Sequence, residues 1–421
     1  MKEDFLHYVW KHQKFSAPLY TQQNQTLAIV STGWHNHHAG PDFQQAQLVI
    51  GDLHWAGAVE LHLKSSDWYR HRHEKDAAYD NVILHVVWED DVEICRSDGS
   101  ILPTLVLQTI VPLELLERYN SIFFKKAQFI PCEDYLGEMS STNWIFWKER
   151  LFIERLDERS QRIQALLKKS KNDWEATLFA LLARNFGLNV NGVTFLSIAH
   201  SFPFSIVRKL QHNVQSLEAL FLGQANLLPE NLPLVYLQTL KKEYLFLKQK
   251  FVLFPITVPL DFSRLRPHNF PTIRLVQLAQ LYAATPSIFS RIFSSGELST
   301  AWMEDIGVST FWKTHYTFAK HSRSQPKRLS KSFIELVKIN TLIPFYFAYQ
   351  KANGNDVSEK IVEWIRTIKM ERNGLIERYQ KLGIKATNAL DSQALIQLHK
   401  NYCMPKKCLL CTFGNQLMKE R

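Results

Sequence analysis

The sequence predicts an α+β protein in two parts: a mixed α/β domain over residues 1–112 and a helical domain over residues 113–421. Three observations carry this prediction. Apolar runs of strand length and period are confined to residues 26–107. After about residue 112 the apolar spacing changes to the helical period and keeps it to the end of the chain. Within the first of these regions lies NVILHVVW, Asn81 to Trp88, whose near-continuous apolar character marks a strand covered on both faces.

Taken in order, residues 3–13 read as an amphipathic helix with Phe5, Leu6, Val9 and Trp10 inward. Thr26 to Ser31 is a short strand, followed by a His-rich loop from His35 to Gly40. Gln45 to Ile50 and His54 to Leu63 are strands joined by a Gly51-Asp52 turn. The polar stretch Ser66 to Asn81 predicts a helix with Asp67 as its cap. Beyond Trp88, two weaker strands at 92–96 and 101–107 are parted by the turn Ser97-Asp98-Gly99. The order is helix, three strands, helix, strand, then extra strands.

The helical part begins with Trp144 to Lys169, which carries a broken apolar stripe, and Asp173 to Phe186, which stops at Gly187. Further helices are predicted at 214–223, 233–251, 272–283, 330–352, 356–380 and 387–400. Arg264 to Pro271 (RLRPHNFP) is a turn-prone loop with two arginines and a histidine, a candidate functional loop.

Composition narrows the class. With 421 residues, 46% of them hydrophobic, the chain can build two or three cored domains. A formal charge of +10 favours an acidic partner, nucleic acid foremost. No stretch reaches the roughly 18–20 apolar residues of a membrane helix. MKEDFLHYVWKHQKF lacks the apolar centre of a signal peptide, so a cytoplasmic protein without a membrane partner is expected.

Candidate chemistry is concentrated between His35 and Lys64. Asp42 lies in a Gly-Pro-Asp turn. On a strand, Glu60, His62 and Lys64 share one face, and Val59, Leu61 and Leu63 take the other. An acid, an imidazole and an ammonium beside an acidic turn can bind a hard cation and act on a phosphate. Mg²⁺ needs few carboxylates and keeps its waters, so Asp42 and Glu60 suffice as ligands. His62 and Lys64 would then orient water or neutralise developing charge. A second reading uses His71, His73 and Asp76, with His85 following and His35, His37 and His38 preceding the turn. His-x-His with an acid suits Zn²⁺ and a zinc-dependent hydrolase. His85, on an apolar strand, reads as a hydrogen-bonded core histidine, and His71 and His73 read equally as plain surface.

The C-terminal run Cys403-x4-Cys408-x2-Cys411 is a ligand pattern for Zn²⁺ or a 4Fe-4S cluster. Cys132 is the expected fourth ligand and His399 the alternative. Cys95, on a strand, reads as a buried hydrophobe.

Two resemblances add to this. Gly40 to Phe43, Gly57 to His62, Ser66 to Trp68, Asn81 to Val87, Asp173 to Gly187, Arg266 to Ala279 and the cysteine-bearing tail resemble domain of unknown function family 2851, a bacterial family, over nearly the whole chain. The name of that family implies no activity. Over residues 1 to about 90, the element order and the Asp42…Glu60 spacing resemble the PD-(D/E)XK nuclease core. This implies a restriction-endonuclease-like core, Mg²⁺ on Asp42 and Glu60, and an accessory acid in the first helix, Glu3. That family's lysine would fall at position 62, where this chain has His; Lys64, two residues on, lies on the same face. A Mg²⁺-dependent nuclease acting on nucleic acid is therefore expected. The rival is a non-catalytic nucleic-acid-binding or scaffold protein of the same fold.

Overall fold

The computed structural model describes residues 1–421 apart from 37, 125–128, 139–140, 231, 295–296 and 419–421. The chain forms two compact units, Met1–Trp144 with Leu398–Arg421, and Ile145–Gln397. Position 112 thus falls inside the first unit, which also takes in the C-terminal stretch. The chain is α+β, with an N-terminal mixed sheet and a large helical part after it.

In the first unit, helix α1 (Glu3–Lys11) buries Phe5, Leu6, Val9 and Trp10, the face its spacing predicts. The sheet is built from β1 (Leu19–Tyr20), β2 (Thr26–Ser31), β3 (Trp34–His35), β4 (Phe43–Ile50), β5 (Leu53–Lys64), β6 (Val82–Glu89) and β7 (Thr104–Val106). Its order is β1-β2-β4-β5-β6-β7, with β3 paired to β4. Neighbours are antiparallel up to β5; β5–β6 and β6–β7 are parallel. A parallel pair must be joined by a crossover. Here it contains helix α2 (Asp67–Arg70) and two 3-10 turns, His73–Lys75 and Ala77–Tyr79. Strand β6 is buried from Val82 to Val87, as its apolar run predicts.

Two register shifts bend the sheet where Asp42 and Glu60 meet. One separates Phe43 from Ala46 on β4, with Gln45 at φ 57°; the other lies between Ala58 and Val59 on β5. A bulge of this kind re-aims the side chains beside it. Gly57 lets β5 approach the crossover closely: a Cβ there would lie 2.5 Å from both the Asn81 carbonyl oxygen and Ile83 Cγ2.

The main core of the unit joins α1 to Phe43, Val59, Leu61, Leu84 and Val86, with helix α3 (Leu113–Phe123) adding Leu115, Tyr119 and Ile122. On the opposite face of β5, in step with Glu60 and His62, Ala58 packs with Trp68, Val82, Ile94 and Leu102. This smaller cluster fixes the crossover onto the polar side of the sheet.

Three expectations about the elements of this unit change. The predicted helix Ser66–Asn81 is one short turn of α-helix and two 3-10 turns, because Arg72 takes a left-handed φ of 63°. Asp67 accepts from the Lys64 N–H at 3.2 Å, behind the helix, where it holds the strand end. Residues 92–96 make only an isolated bridge, Cys95 to Ile101. The Cys95 N–H is taken by the Tyr69 hydroxyl at 3.0 Å, and Arg96 and Ser100 close the turn locally.

The second unit is helical. Helices α4 (Ser141–Lys169) and α5 (Trp174–Phe186) lie close to their predicted bounds, and Asp173 caps α5 by accepting from the Ala176 N–H at 3.0 Å. Helices α6 (Leu188–His200) and α7 (Phe204–Leu210) follow, outside the predicted set. Next come α8 (Val214–Gln224), α9 (Val235–Phe251) and α10 (Pro271–Ala284). Buried on every side from Ser216 to Gln224, α8 is the centre of the core. The predicted helix 356–380 is two helices, Ser358–Thr367 and Gly374–Lys381. Ile368 turns extended, and Asn373 caps the second helix through the Ile376 N–H. In the Arg264–Pro271 loop, Asn269 accepts from Arg274 at 2.6 Å, and the Arg274 guanidinium lies 3.7 Å over the Phe333 ring. Among the described residues no single helix is long and apolar enough to cross a membrane.

Candidate metal centre

Asp42 precedes β4 and Glu60 lies inside β5, yet the two are tied together. The Asp42 N–H donates to Glu60 Oε2 at 3.0 Å, and the Leu61 N–H donates to Asp42 Oδ2 at 3.0 Å. Each carboxylate is thereby held by a backbone donor, at the bent part of the sheet.

Glu60 Oε1 faces imidazoles: His73 Nε2 at 3.4 Å and His62 Nε2 at 3.5 Å. His62 Nε2 is also 3.1 Å from His71 Nδ1. One nitrogen from each of His62, His71 and His73 lies within 4.8 Å of the others. Local backbone explains the convergence. The left-handed Arg72 reverses the chain between His71 and His73, so both rings return over the face of β5 that carries His62. Tyr79 stacks on the His73 ring at 3.7 Å, and Trp68 stands edge-on to it at 5.4 Å. Glu60, His62 and His73 are buried, whereas His71 is exposed. The cluster therefore opens to solvent on one side.

His85, on β6, lies directly behind. His62 Nδ1 and His85 Nε2 are 2.8 Å apart. When His62 donates Nδ1–H to His85, its Nε2 keeps the lone pair toward Glu60 and His71. Burial, reinforced by the charges of His73 and His71, pushes His62 down to about 3. It is therefore a neutral imidazole, the form that binds a metal. Burial also drives His85 well below its ordinary value. Glu60 is raised, first by burial and then by the Asp42 charge, with the His73 hydrogen bond opposing.

A second group flanks Asp42. His7 Nε2 lies 3.2 Å from Asp42 Oδ2. Burial alone would lower His7, but the hydrogen bond to Asp42 and the charges of Asp42, Glu3 and Glu60 outweigh it and raise the group. Glu3 is raised by burial and then by Asp42, and it also feels His7 and His71. Glu3 and His7 are one turn apart on α1, on the same side of the helix.

Of the residues predicted from sequence, Glu3, Asp42, Glu60 and His62 come together here. Lys64 lies farther along the same strand face, exposed at the surface. Its ammonium pairs with Glu89 at 3.2 Å, its partner in register across β5 and β6. Asp76 caps the turn that follows, by accepting from the Ala78 N–H. His35 stacks on Phe43 at 4.7 Å, and the His38 N–H donates to Asn36. His37 lies outside the described residues. Sequence reasoning missed His7, which its spacing of four from Glu3 could have signalled. It also left His71 and His73 undecided between ligand and surface.

The fold and this site define a class: an α+β protein whose mixed sheet carries a His-rich, carboxylate-containing cluster of metal-ligand type. The chain belongs to the family described as "Protein of unknown function (DUF2851)", which it matches over residues 3–374. No curated protein and no solved structure matches it.

Proposed function

We propose that this protein is a metal-dependent hydrolase of phosphate diesters, with a zinc-class ion held by Glu60, His62, His71 and His73 and nucleic acid as its substrate. The carrying observation is the spacing of the donor atoms. Ligands about 2.0–2.1 Å from a tetrahedral zinc stand about 3.3 Å apart. Three of the six separations in this set are 3.1, 3.4 and 3.5 Å, and one nitrogen from each of the three imidazoles lies within 4.8 Å of the others. Three nitrogens and one oxygen favour a zinc-class ion over Mg²⁺, which prefers an all-oxygen shell. The exposed side at His71 leaves room for a water or a phosphate oxygen as a further ligand. Such an ion brings the pKa of its bound water toward about 7 and stabilises charge on a phosphoryl oxygen.

His7 and Asp42 supply the proton chemistry beside that ion. Protonated His7, raised by its carboxylate neighbours, is an acid placed to donate to a leaving oxygen. Nucleic acid is favoured by the charge of +10. It is favoured also by the order helix, antiparallel strands, crossover and parallel strand, with Asp42 just before β4 and Glu60 inside β5. That arrangement resembles the PD-(D/E)XK core.

A second reading, Mg²⁺ on Asp42 and Glu60, has their reciprocal backbone bonds in its favour. The test is hydrolysis of bis(p-nitrophenyl) phosphate and of DNA and RNA oligonucleotides by metal-stripped protein, refilled with Zn²⁺, Mn²⁺ or Mg²⁺. The proposal expects activity with Zn²⁺ or Mn²⁺ that His73→Ala abolishes. Activity with Mg²⁺ alone that survives His73→Ala supports the second reading. Salt-sensitive nucleic-acid binding with no hydrolysis under any metal leaves the non-catalytic scaffold.

A further inference from the structure

Four of the five cysteines, Cys132, Cys403, Cys408 and Cys411, belong to the first unit and lie apart in sequence from the histidine cluster. Three lie on the C-terminal stretch. Cys403 closes the π-turn His399–Cys403, Cys408 opens the 3-10 turn Cys408–Leu410, and Cys411 is the N-cap of the helix Thr412–Leu417. Backbone bonds close these turns on one another: Met404 N–H to the His399 carbonyl at 2.8 Å, Lys407 N–H to Tyr402 at 2.7 Å, and Cys411 N–H to Cys408 at 3.1 Å. Lys406, at φ 55°, makes the reversal between Cys403 and Cys408. Gly414 packs so tightly on the Cys408 carbonyl that a Cβ there would overlap it.

This folded stretch is anchored to the residues around Cys132. Lys406 Nζ donates to the Phe123 carbonyl at 3.0 Å, and the His399 ring stacks on Phe129 at 4.8 Å. Cys132 lies within electrostatic reach of Cys403, Cys408 and Cys411, although no three of these four sulfurs all lie within 4.8 Å of one another. Cys408 and Cys411 are buried, and none of the four forms a disulfide. Cys95 is bridged to Ile101 elsewhere.

Burying several thiols together brings little hydrogen bonding in return, because S–H is a weak donor and a weak acceptor. As neutral thiols they are small hydrophobes; as thiolates they need a cation. The spacing x4 and x2 on a tightly turned stretch, completed by one remote cysteine, is the economy of a ligand set.

We infer that Cys132, Cys403, Cys408 and Cys411 together hold one thiophilic metal centre, a zinc ion or an iron–sulfur cluster, that clasps the C-terminal stretch to the segment Ile130–Cys132. Each sulfur gives up its proton to solvent as its bond to the metal forms. The centre is structural, since all four positions come from the protein and leave no open site. It is independent of the ion proposed at Glu60 and the histidines.

The test is metal and sulfide analysis of full-length protein purified without chelator and under anaerobic conditions. About one zinc beyond any held by the histidines identifies a zinc centre. Iron with acid-labile sulfide and broad visible absorption identifies a cluster. Either must survive His71→Ala and be lost in Cys132→Ser and Cys411→Ser. Should those variants fold poorly, alkylation of the native wild-type chain gives the second readout. Cys132, Cys403, Cys408 and Cys411 are expected to resist the reagent together and to become reactive together once the metal is stripped, with Cys95 unchanged. Protein that carries no metal in its anaerobic form, or that keeps its full content in Cys132→Ser, overturns the inference. So does alkylation of the four thiols that metal removal does not alter.

Discussion

Asp42 and Glu60 hold each other through the main chain: the Asp42 N–H binds the Glu60 carboxylate, and the N–H next to Glu60 binds the Asp42 carboxylate, both at 3.0 Å. Two acids 18 residues apart are thereby fixed at the bend in the sheet by the fold itself. The bonds are charge-assisted, and Glu60 is buried, so losing its acceptor strands a backbone donor. Glu60→Ala is expected to lower stability by about 1–3 kcal/mol in metal-free protein. Glu60→Gln keeps an acceptor and should lose less. Urea denaturation of the stripped protein checks the order of the two variants.

His85 makes no contact with solvent and sits 2.8 Å behind His62. In the proposed metal site its role would be to fix the tautomer and the ring plane of His62. Removing such a partner typically costs about 10–100-fold in metal affinity. His85→Ala should weaken Zn²⁺ binding by about that factor in calorimetric titration. Unchanged affinity would reduce His85 to core packing.

Lys64 and Glu89 are each about half exposed, at 51% and 50%. An ion pair so placed is worth no more than about 1 kcal/mol. Lys64→Ala should shift the urea midpoint slightly and leave hydrolysis of bis(p-nitrophenyl) phosphate intact. A large fall in rate with stability preserved would return Lys64 to the reacting centre.

Gly57 leaves no room for a side chain between β5 and the Asn81–Ile83 segment, since both nearest atoms lie 2.5 Å from where an added Cβ would sit. Backbone would have to move in Gly57→Ala. Such overpacking costs about 1–3 kcal/mol, and here it also displaces the strand that carries Glu60 and His62. Both the thermal midpoint and metal affinity should fall, and the parallel measurement of the two checks it.

In the helical unit, Glu218 is 1% exposed and accepts from Tyr236 and Ser309. Burial raises it from 4.5 to about 7 despite those bonds. The folded state therefore binds more protons than the unfolded state between pH 4.5 and about 7, and stability falls as pH rises through that window. The loss is complete above about pH 7 and amounts to roughly 3 kcal/mol. Glu218→Gln should remove this slope and be the more stable chain at about pH 8. Denaturation of both proteins at about pH 5 and about pH 8 gives the comparison.

Periodicity made most of the architecture legible. The apolar run Val82 to Val87 is the buried parallel strand, and Phe5, Leu6, Val9 and Trp10 are the buried face of α1. The helix-like stretch Ser66–Asn81 was misleading, because one left-handed residue, Arg72, breaks it. Nothing in local spacing announces that conformation at an arginine. The same reversal hid the site, since it lies between His71 and His73, whose rings both come to His62. Alternation along β5 did place Glu60 and His62 on one face, and it placed Lys64 there too. Register then decided the difference, because Lys64 comes opposite Glu89 and Glu60 opposite His85. Cys132, named from the sequence as a partner for the three cysteines of the tail, lies in the same compact unit and within their electrostatic reach.

The most direct measurement is anomalous diffraction from crystals of the protein equilibrated with Zn²⁺. A single anomalous peak about 2.0–2.1 Å from His62 Nε2, His71 Nδ1 and His73 Nε2, with Glu60 Oε1 completing the shell, is the predicted result at this site. It should vanish in His73→Ala crystals. Peaks confined to the cysteines, or an ion bound by Asp42 and Glu60 oxygens with no imidazole nitrogen, would contradict it.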